Sequence, residues 1–345
     1  MLSRWIRRLI VFAGVLLLLA AAALGFAVHT FGQPYRGWSG ESTTVRVEPG
    51  TSATRLLSQL GEAGVLERPQ WVRAYLKWRG DADSLQAGEY RFEQEATPYE
   101  VLQRLRDGDV VLYPVTIPEG WNRYEVLETL LAAEIADRAS LESAFDQTAP
   151  IAALDAEADT LEGYLFPDTY HFKGGADGER VATTMVRRFL DVVGEDYAAR
   201  AKKVGLTVRQ AVTLASMIEK ETSVPDERTL ISAVFHNRIE QRMLMQCDPT
   251  VMYALEREGQ PVAKLYSKHL RFDSPYNTYR YPGLPPGPIA NPGRESLEAA
   301  VAPIDSPVLY FVAKPGGGHT FSESLTEHNR AVRVWRAYER SSSSP

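Results

Sequence analysis

The chain has 345 residues, of which 44% are hydrophobic and 24% charged, as is usual for a globular protein of two or three domains. Its net charge of −6 gives no basic surplus, so we expect no nucleic-acid partner. Its one cysteine, Cys247, excludes an intramolecular disulfide. The six histidines include no closely spaced ligand pair, so we expect neither a catalytic metal nor another cofactor.

The N-terminal region predicts a membrane anchor. Residues 9–29 contain no Asp, Glu, Lys or Arg and are long enough to span the hydrocarbon core of a bilayer. Arg4, Arg7 and Arg8 precede this stretch, so the positive-inside rule places residues 1–8 in the cytoplasm and the rest of the chain across the membrane. A cleaved signal peptide is the alternative, but the apolar stretch is longer than the usual signal core.

A small mixed module is predicted at residues 43–117, after a linker at 30–42 that is rich in glycine, proline and serine. Alternating apolar and polar residues predict its strands, and the spacing of Thr97 and Glu100 is that of a capping box. The predicted elements are strands at 44–48, 88–92 and 110–117 and helices at 51–60, 71–78 and 97–106.

A larger and mostly helical domain is predicted at 118–340, followed by a disordered tail at 341–345. A long ordered loop, rich in proline, glycine, asparagine and tyrosine, is expected at 266–304. The predicted helices cover 124–136, 140–147, 178–203, 207–222 and 325–338, with two more starting at 225 and 248, and the predicted strands cover 308–313 and 319–322. The predicted fold class is therefore α+β, with a small sheet in the larger domain.

The helix predicted at 207–222 carries an acidic residue on its apolar face. Thr207 and Gln210 form a capping box that fixes the start of the helix. Glu219 falls within the apolar stripe, whereas Glu221 lies about 160° away around the axis. Burial favours the protonated form of a carboxyl group, which is the form that a general acid needs. The alternative is a structural glutamate that pairs with an arginine or caps a backbone group.

Three further clusters, at 162–170, 246–250 and 274–293, combine aromatic, amide, hydroxyl and acidic side chains. This combination suits a carbohydrate groove, because aromatic rings pack against sugar faces while amides and hydroxyls bond to sugar substituents. The alternative is that proline and tyrosine order a long loop over the core. Asp168 and Asp248 could pair with Glu219, but a turn and a helix cap explain them equally well, so no second catalytic carboxylate can be assigned.

These motifs resemble those of the YceG-like, MltG-type endolytic murein transglycosylases of bacteria, over nearly the whole chain. The matching segments are EGYLFPDTY at 162–170, LASMIEKET at 214–222, Asp248-Pro249-Thr250, Tyr276-Asn277-Thr278-Tyr279, GLPPGPIANPG at 283–293 and Gly318-His319-Thr320-Phe321. Several long motifs in the family's order make this resemblance specific.

The resemblance implies a single-pass inner-membrane protein with a periplasmic body, a LysM-like module at 43–117 and a catalytic domain at 118–340. It implies a lyase that cleaves the β-1,4 bond between N-acetylmuramic acid and N-acetylglucosamine within peptidoglycan glycan strands and leaves 1,6-anhydro ends. Such an enzyme would limit the length of nascent strands during cell-wall elongation and would have cell-wall synthases as partners. The family's catalytic acid falls on Glu219.

Substrate binding is a hypothesis for nine further residues. These residues are Glu162, Tyr164, Asp168, Glu221, Asp248, Thr250, Tyr276, Asn277 and Tyr279. Two alternative functions stay open: a muramidase that hydrolyses the same bond with the same acid, and a non-catalytic membrane protein that binds the wall.

Overall fold

The computed structural model describes residues 4–81 and 84–342, which form two compact units. The first unit runs to Tyr113 and includes Lys173–Gly175, and the second comprises Pro114–Phe172 and the chain from Ala176 onward. Thirteen α-helices and six short β-strands occur among the described residues. The predicted α+β class is confirmed.

The first helix, α1, covers Arg4–Gly32 and contains all of the predicted stretch 9–29. It is the one helix of the described residues that is long and apolar enough to cross a membrane, so the prediction of such an N-terminal helix is confirmed. Residues 1–3 of the segment predicted to be cytoplasmic lie outside the described residues.

The first unit has a two-stranded sheet packed against helices. Strand β1 pairs antiparallel with β2, with Thr43 opposite Phe92 and Val47 opposite Gly88. Alternate residues of both strands point into a core of leucines and valines from the helices. After α1, the elements of this part of the chain are β1 Thr43–Val47, α2 Ala53–Glu62, α3 Pro69–Arg79, β2 Gly88–Phe92, α4 Pro98–Asp107 and β3 Leu112–Thr116.

The segment 30–42, predicted as a linker, is docked on the first unit. Phe31 and Trp38 pack against its core, and the N–H of Gly37 donates to the carbonyl oxygen of Gly64 at 2.8 Å. The burial of these two aromatic rings gives the segment a packing role in addition to its connecting role.

The second unit is mostly helical. Strand β4 pairs with β3, and β5 and β6 form a hairpin with Tyr310 opposite Ser322. Its elements are α5 Arg123–Ala132, α6 Arg138–Asp146, β4 Thr169–Lys173, α7 Gly178–Val193, α8 Tyr197–Lys203, α9 Val208–Glu221, α10 Arg228–Glu240, α11 Asp248–Arg257, α12 Arg294–Val301, β5 Tyr310–Ala313, β6 His319–Ser322 and α13 Leu325–Ser342.

Several elements differ from the sequence prediction. The helix predicted at 178–203 is two helices, because Gly194 adopts a positive φ of 72° that ends α7. Part of the loop predicted at 266–304 is helix α12, and strand β4 was not predicted. The last helix continues to Ser342, while residues 343–345 of the predicted tail lie outside the described residues.

Helix α9 is the central helix of the second unit. It packs against α8, α10, α11 and α12. Every residue from 211 to 218 is buried, so the single apolar stripe predicted from the sequence was too narrow. The predicted capping box of Thr207 and Gln210 is present. The helix leaves the core only in its last turn, which carries Glu219.

Candidate active site

Glu219 lies where α9 emerges from the core. Its side chain is only 8% exposed, although the next residue, Lys220, is exposed. The Oε2 atom of Glu219 accepts the backbone N–H of Gly293 at 3.0 Å, and Nη2 of Arg228 is 3.8 Å from Oε1. A hydrogen-bond donor at the start of α12 and a nearby cation both stabilise negative charge on this carboxyl group.

A second carboxyl group, that of Glu119, lies beside the same glycine. A Cβ atom at Gly293 would collide with the Glu119 carboxylate, so this close approach depends on the missing side chain. Burial and the negative charge of Glu219 raise the pKa of Glu119, and Arg228 opposes that rise. Two acids therefore meet at Gly293.

Backbone pairing between distant segments places Glu119 there. The N–H of Gly120 donates to the carbonyl oxygen of Asn291 at 2.9 Å, and the N–H of Asn291 donates to that of Trp121 at 2.8 Å. Lys220 reaches across from α9, and its Nζ donates to the carbonyl oxygen of Gly120 at 3.0 Å. Sequence reasoning missed Glu119, although its position in a Pro-Glu-Gly turn between a strand and a capped helix is a recognisable signal.

Arg228 lies between Glu219 of α9 and Glu295 of α12. It is buried at the start of α10, and its Nη1 donates to Oε2 of Glu295 on α12 at 2.6 Å. Its Nε has no hydrogen-bond partner among the described residues. Among the residues that the structure describes, no group of three or more His, Cys, Asp or Glu side chains could hold a metal ion.

Glu162 is connected to this site through Asn291. It accepts the N–H of Arg123 at 3.1 Å, and Nδ2 of Asn291 lies 3.4 Å from it. Burial raises the pKa of Glu162 to about 7, and its hydrogen bonds only partly offset this effect. Glu162 therefore supports the segment that holds Gly293.

Tyr164 and Asp168 are bound to partners elsewhere in the second unit. The hydroxyl of buried Tyr164 donates to Oδ2 of Asp155 at 2.5 Å. Asp168 forms an ion pair with Arg188 of α7 at 2.6 Å. Their polar atoms connect elements within the unit.

Glu221, Asp248, Thr250 and Tyr279 gather around Cys247. The Cys247 thiol donates to Glu221, and burial raises the pKa of that carboxyl group. The Tyr279 hydroxyl donates to Asp248 at 2.5 Å, and the Thr250 hydroxyl donates to the Cys247 carbonyl oxygen at 2.7 Å. Asp248 is the first residue of α11, with Cys247 at the capping position, so the predicted helix cap by Asp248 was wrong by one residue.

Tyr276 and Asn277 are buried residues of the long loop. The Tyr276 hydroxyl accepts from Nη1 of Arg257 at 3.1 Å. The Asn277 amide donates to the carbonyl oxygens of Leu270 and Phe272 at 3.1 and 2.7 Å. These hydrogen bonds of buried side chains fix the conformation of the loop.

Residues 45–334 match the model of the YceG-like family. The chain is 34% identical over 324 residues to the endolytic murein transglycosylase of Bacillus subtilis (strain 168), with 87% of this chain and 86% of that protein covered.

Two further matches extend this similarity. The chain is 28% identical to the endolytic murein transglycosylase of Streptococcus pneumoniae serotype 2 (strain D39 / NCTC 7466), but spans only 58% of that longer protein. A crystal structure of a YceG-like protein from Listeria monocytogenes matches with a TM-score of 0.57 and 33% identity, covering 85% of this chain and 99% of that one.

Proposed function

Because this chain belongs to the YceG-like family, we propose that it is an endolytic murein transglycosylase with Glu219 as its catalytic acid. The relatives that carry this name support the activity. The observation that carries the assignment of Glu219 is its nearly buried carboxyl group at the solvent end of α9, bonded to Gly293 and close to Arg228.

The reaction is cleavage of the β-1,4 bond between N-acetylmuramic acid and N-acetylglucosamine within a glycan strand. Protonated Glu219 donates to the glycosidic oxygen while the bond to C1 breaks, and positive charge develops on the muramyl ring. The C6 hydroxyl of the same sugar then attacks C1 and gives its proton to the Glu219 carboxylate. The new bond closes a 1,6-anhydro ring, and no water is consumed.

Because Glu219 acts first as an acid and then as a base, its surroundings must accommodate both the protonated and the ionised carboxyl group. The Gly293 N–H and the Arg228 guanidinium stabilise the carboxylate that remains after proton donation. The neighbouring Glu119, whose pKa is raised by burial and by the charge of Glu219, places a second acid beside it. We propose that Glu119 is the electrostatic partner of Glu219.

The nine predicted substrate-binding residues divide into two groups in this proposal. Asp248, which is exposed, and Tyr279, which is partly exposed, contact the glycan. The other seven support the surface through the bonds of their polar atoms within the protein, and of these Asp168 and Glu221 are partly exposed. These are Glu162, Tyr164, Asp168, Glu221, Thr250, Tyr276 and Asn277.

The proposal extends to the cellular setting. In this proposal helix α1 anchors the chain once in the inner membrane, and the arginines that precede its apolar stretch support a periplasmic location for both units. The first unit serves as a LysM-like module that binds the wall. The enzyme limits the length of nascent strands beside the cell-wall synthases.

Digestion of nascent murein by the detergent-solubilised full chain tests this function. We expect anhydromuramyl ends from the native protein and a loss of about 100-fold or more for Glu219→Gln, because a positioned acid contributes that much. Glu240→Gln, at the exposed end of α10, is the control and should keep most of the activity.

Other products would point to other functions. Since Glu119 supplies a second carboxyl group, hydrolysis by an activated water is the competing reaction, and reducing muramic ends would establish it. A native protein that binds sacculi without cleaving them would instead be a wall-binding protein.

A further inference from the structure

Helix α3 of the first unit presents an aromatic face. Trp71, Tyr75 and Trp78 are four and three residues apart and therefore lie on one side of the helix. Val72 and Leu76 of the same helix are buried in the core. In contrast, Trp71 is 45% and Trp78 is 80% exposed. Two large aromatic side chains thus point outward from the unit.

This aromatic face contacts the end of α1. The ring centroid of Trp71 lies 5.3 Å from that of Phe26, and the ring centroid of Tyr75 lies 4.8 Å from that of Phe31. The two pairs follow the same order along both helices, so Trp71 is closer than Tyr75 to the membrane-spanning stretch. Phe31 also packs on the core of the unit, so that core lies beside the C-terminal end of α1.

The length of α1 indicates how deep in the bilayer Trp71 lies. Residues 9–29 span about 30 Å at about 1.5 Å per residue, which is the thickness of the hydrocarbon core. Phe26 is three residues before the end of this stretch, or about 5 Å along the axis. Trp71 therefore lies at the boundary between hydrocarbon and headgroups, where tryptophan and tyrosine are enriched in membrane proteins.

The charges of α3 are compatible with a lipid surface. The helix contains Arg73, Lys77 and Arg79 and no acidic residue. At about 100° per residue, Arg79 lies beside the aromatic face, whereas Arg73 and Lys77 lie on the far side of the helix, so α3 places no negative charge against a headgroup.

We propose that the aromatic face of α3 rests in the headgroup region of the bilayer that α1 spans, with Trp71 deepest and Trp78 at the outer edge. The inference rests on the proposed anchoring by α1. A murein glycan could also stack on exposed tryptophans. The contact between Trp71 and Phe26 favours lipid, because it holds the face at the level of the membrane.

Fluorescence quenching in vesicles tests the proposal. The full chain is reconstituted in phosphatidylcholine vesicles whose acyl chains carry bromine near the headgroup, and single variants Trp5→Phe, Trp71→Phe and Trp78→Phe are compared with the native chain. Trp5, in the first turns of α1, reports on the anchor itself. We expect Trp5→Phe and Trp71→Phe each to remove part of the quenched emission, and Trp71→Phe to remove at least about twice as much as Trp78→Phe.

The variants separate the possible failures. If Trp5→Phe lowers the quenched emission and Trp71→Phe does not, the anchor stands and the membrane contact of α3 is overturned. If neither variant changes the quenching, the anchoring fails and the contact fails with it. If added glycan strands shield Trp71 and Trp78 from a water-soluble quencher while lipid bromine does not reach them, the face binds saccharide and the proposal is also overturned.

Discussion

At the scale of single residues, Glu119 places a second carboxyl group close to that of Glu219, and the two interact electrostatically. Burial and Glu219 raise the pKa of Glu119, so the two carboxyl groups influence each other. Changing Glu119 to Gln keeps the shape and removes the group whose pKa is raised. We expect the pH–activity profile to change and activity near neutrality to fall about tenfold. The initial rate of anhydro-end formation across a pH series measures both effects, and an unchanged profile would show that Glu119 is not a partner.

A different acid, Glu162, makes stability depend on pH. Its pKa rises from 4.5 to about 7 on folding. The folded state therefore holds the proton more tightly, so this stabilisation is complete below the unfolded value and disappears as the pH rises through about 7. The change amounts to about 3 kcal/mol at most.

Glu162→Gln imitates the neutral carboxyl group and tests this linkage. We expect the variant to match the native protein in unfolding free energy at low pH and to lose less of it as the pH rises past neutrality. Urea unfolding at a series of pH values gives the comparison. Parallel pH dependence in the two proteins would contradict the raised pKa.

The two acids of the site differ in how far a sequence can reveal them. Glu219 can be selected from the angular position of residues around α9, because helical periodicity is local. Glu119 reaches the site only through the pairing of Gly120 and Trp121 with Asn291, which lies 170 residues after Trp121. No local sequence pattern predicts a contact between residues so far apart along the chain.

At the scale of secondary-structure elements, the start of α12 controls the distance between the acids. Gly293 has φ −73° and ψ 170°, a conformation open to any residue, so its small size is needed for space rather than for backbone freedom. In Gly293→Ala, the added methyl group would displace the flexible Glu119 side chain. We expect a melting temperature lowered by about a few degrees, because alanine is a poorer helix cap than glycine, and a loss of activity of about tenfold, similar to that of Glu119→Gln.

The double variant makes this comparison quantitative. If Gly293→Ala acts by moving Glu119, it should add little to the loss already caused by Glu119→Gln. Multiplied losses in the double variant would mean that the alanine acts elsewhere, for example on the hydrogen bond from Gly293 to Glu219.

Local sequence patterns predicted the starts of helices well, but they predicted interruptions of helices and loops poorly. The capping boxes at Thr97 and Thr207 were recognisable because three-residue spacing is sufficient to define them. Helix α12 was hidden in a segment rich in proline and glycine, and it forms because Leu297 and Ala300 are buried in the second unit, where α12 packs on α9. That stabilisation comes from tertiary packing, which intrinsic propensity does not contain.

At the scale of the whole molecule, α1 was evident from composition, whereas the discontinuous part of the first unit was not. A charge-free apolar stretch of bilayer length needs no tertiary information. In contrast, Lys173–Gly175 belong to the first unit although the chain around them belongs to the second. A boundary that is discontinuous along the chain depends on long-range contacts.

The docked segment after the anchor leads to a prediction for truncated proteins. A protein starting at residue 30 keeps Phe31 and Trp38, which pack on the first unit, whereas a protein starting at residue 39 loses both. We expect the shorter protein to be less stable in its first unit by about 2 kcal/mol, the scale of burying an aromatic side chain. Urea unfolding followed by circular dichroism compares the two. Their rates on solubilised glycan strands should agree, because every proposed catalytic residue lies in the second unit, and equal unfolding curves would show that 30–42 is only a connection.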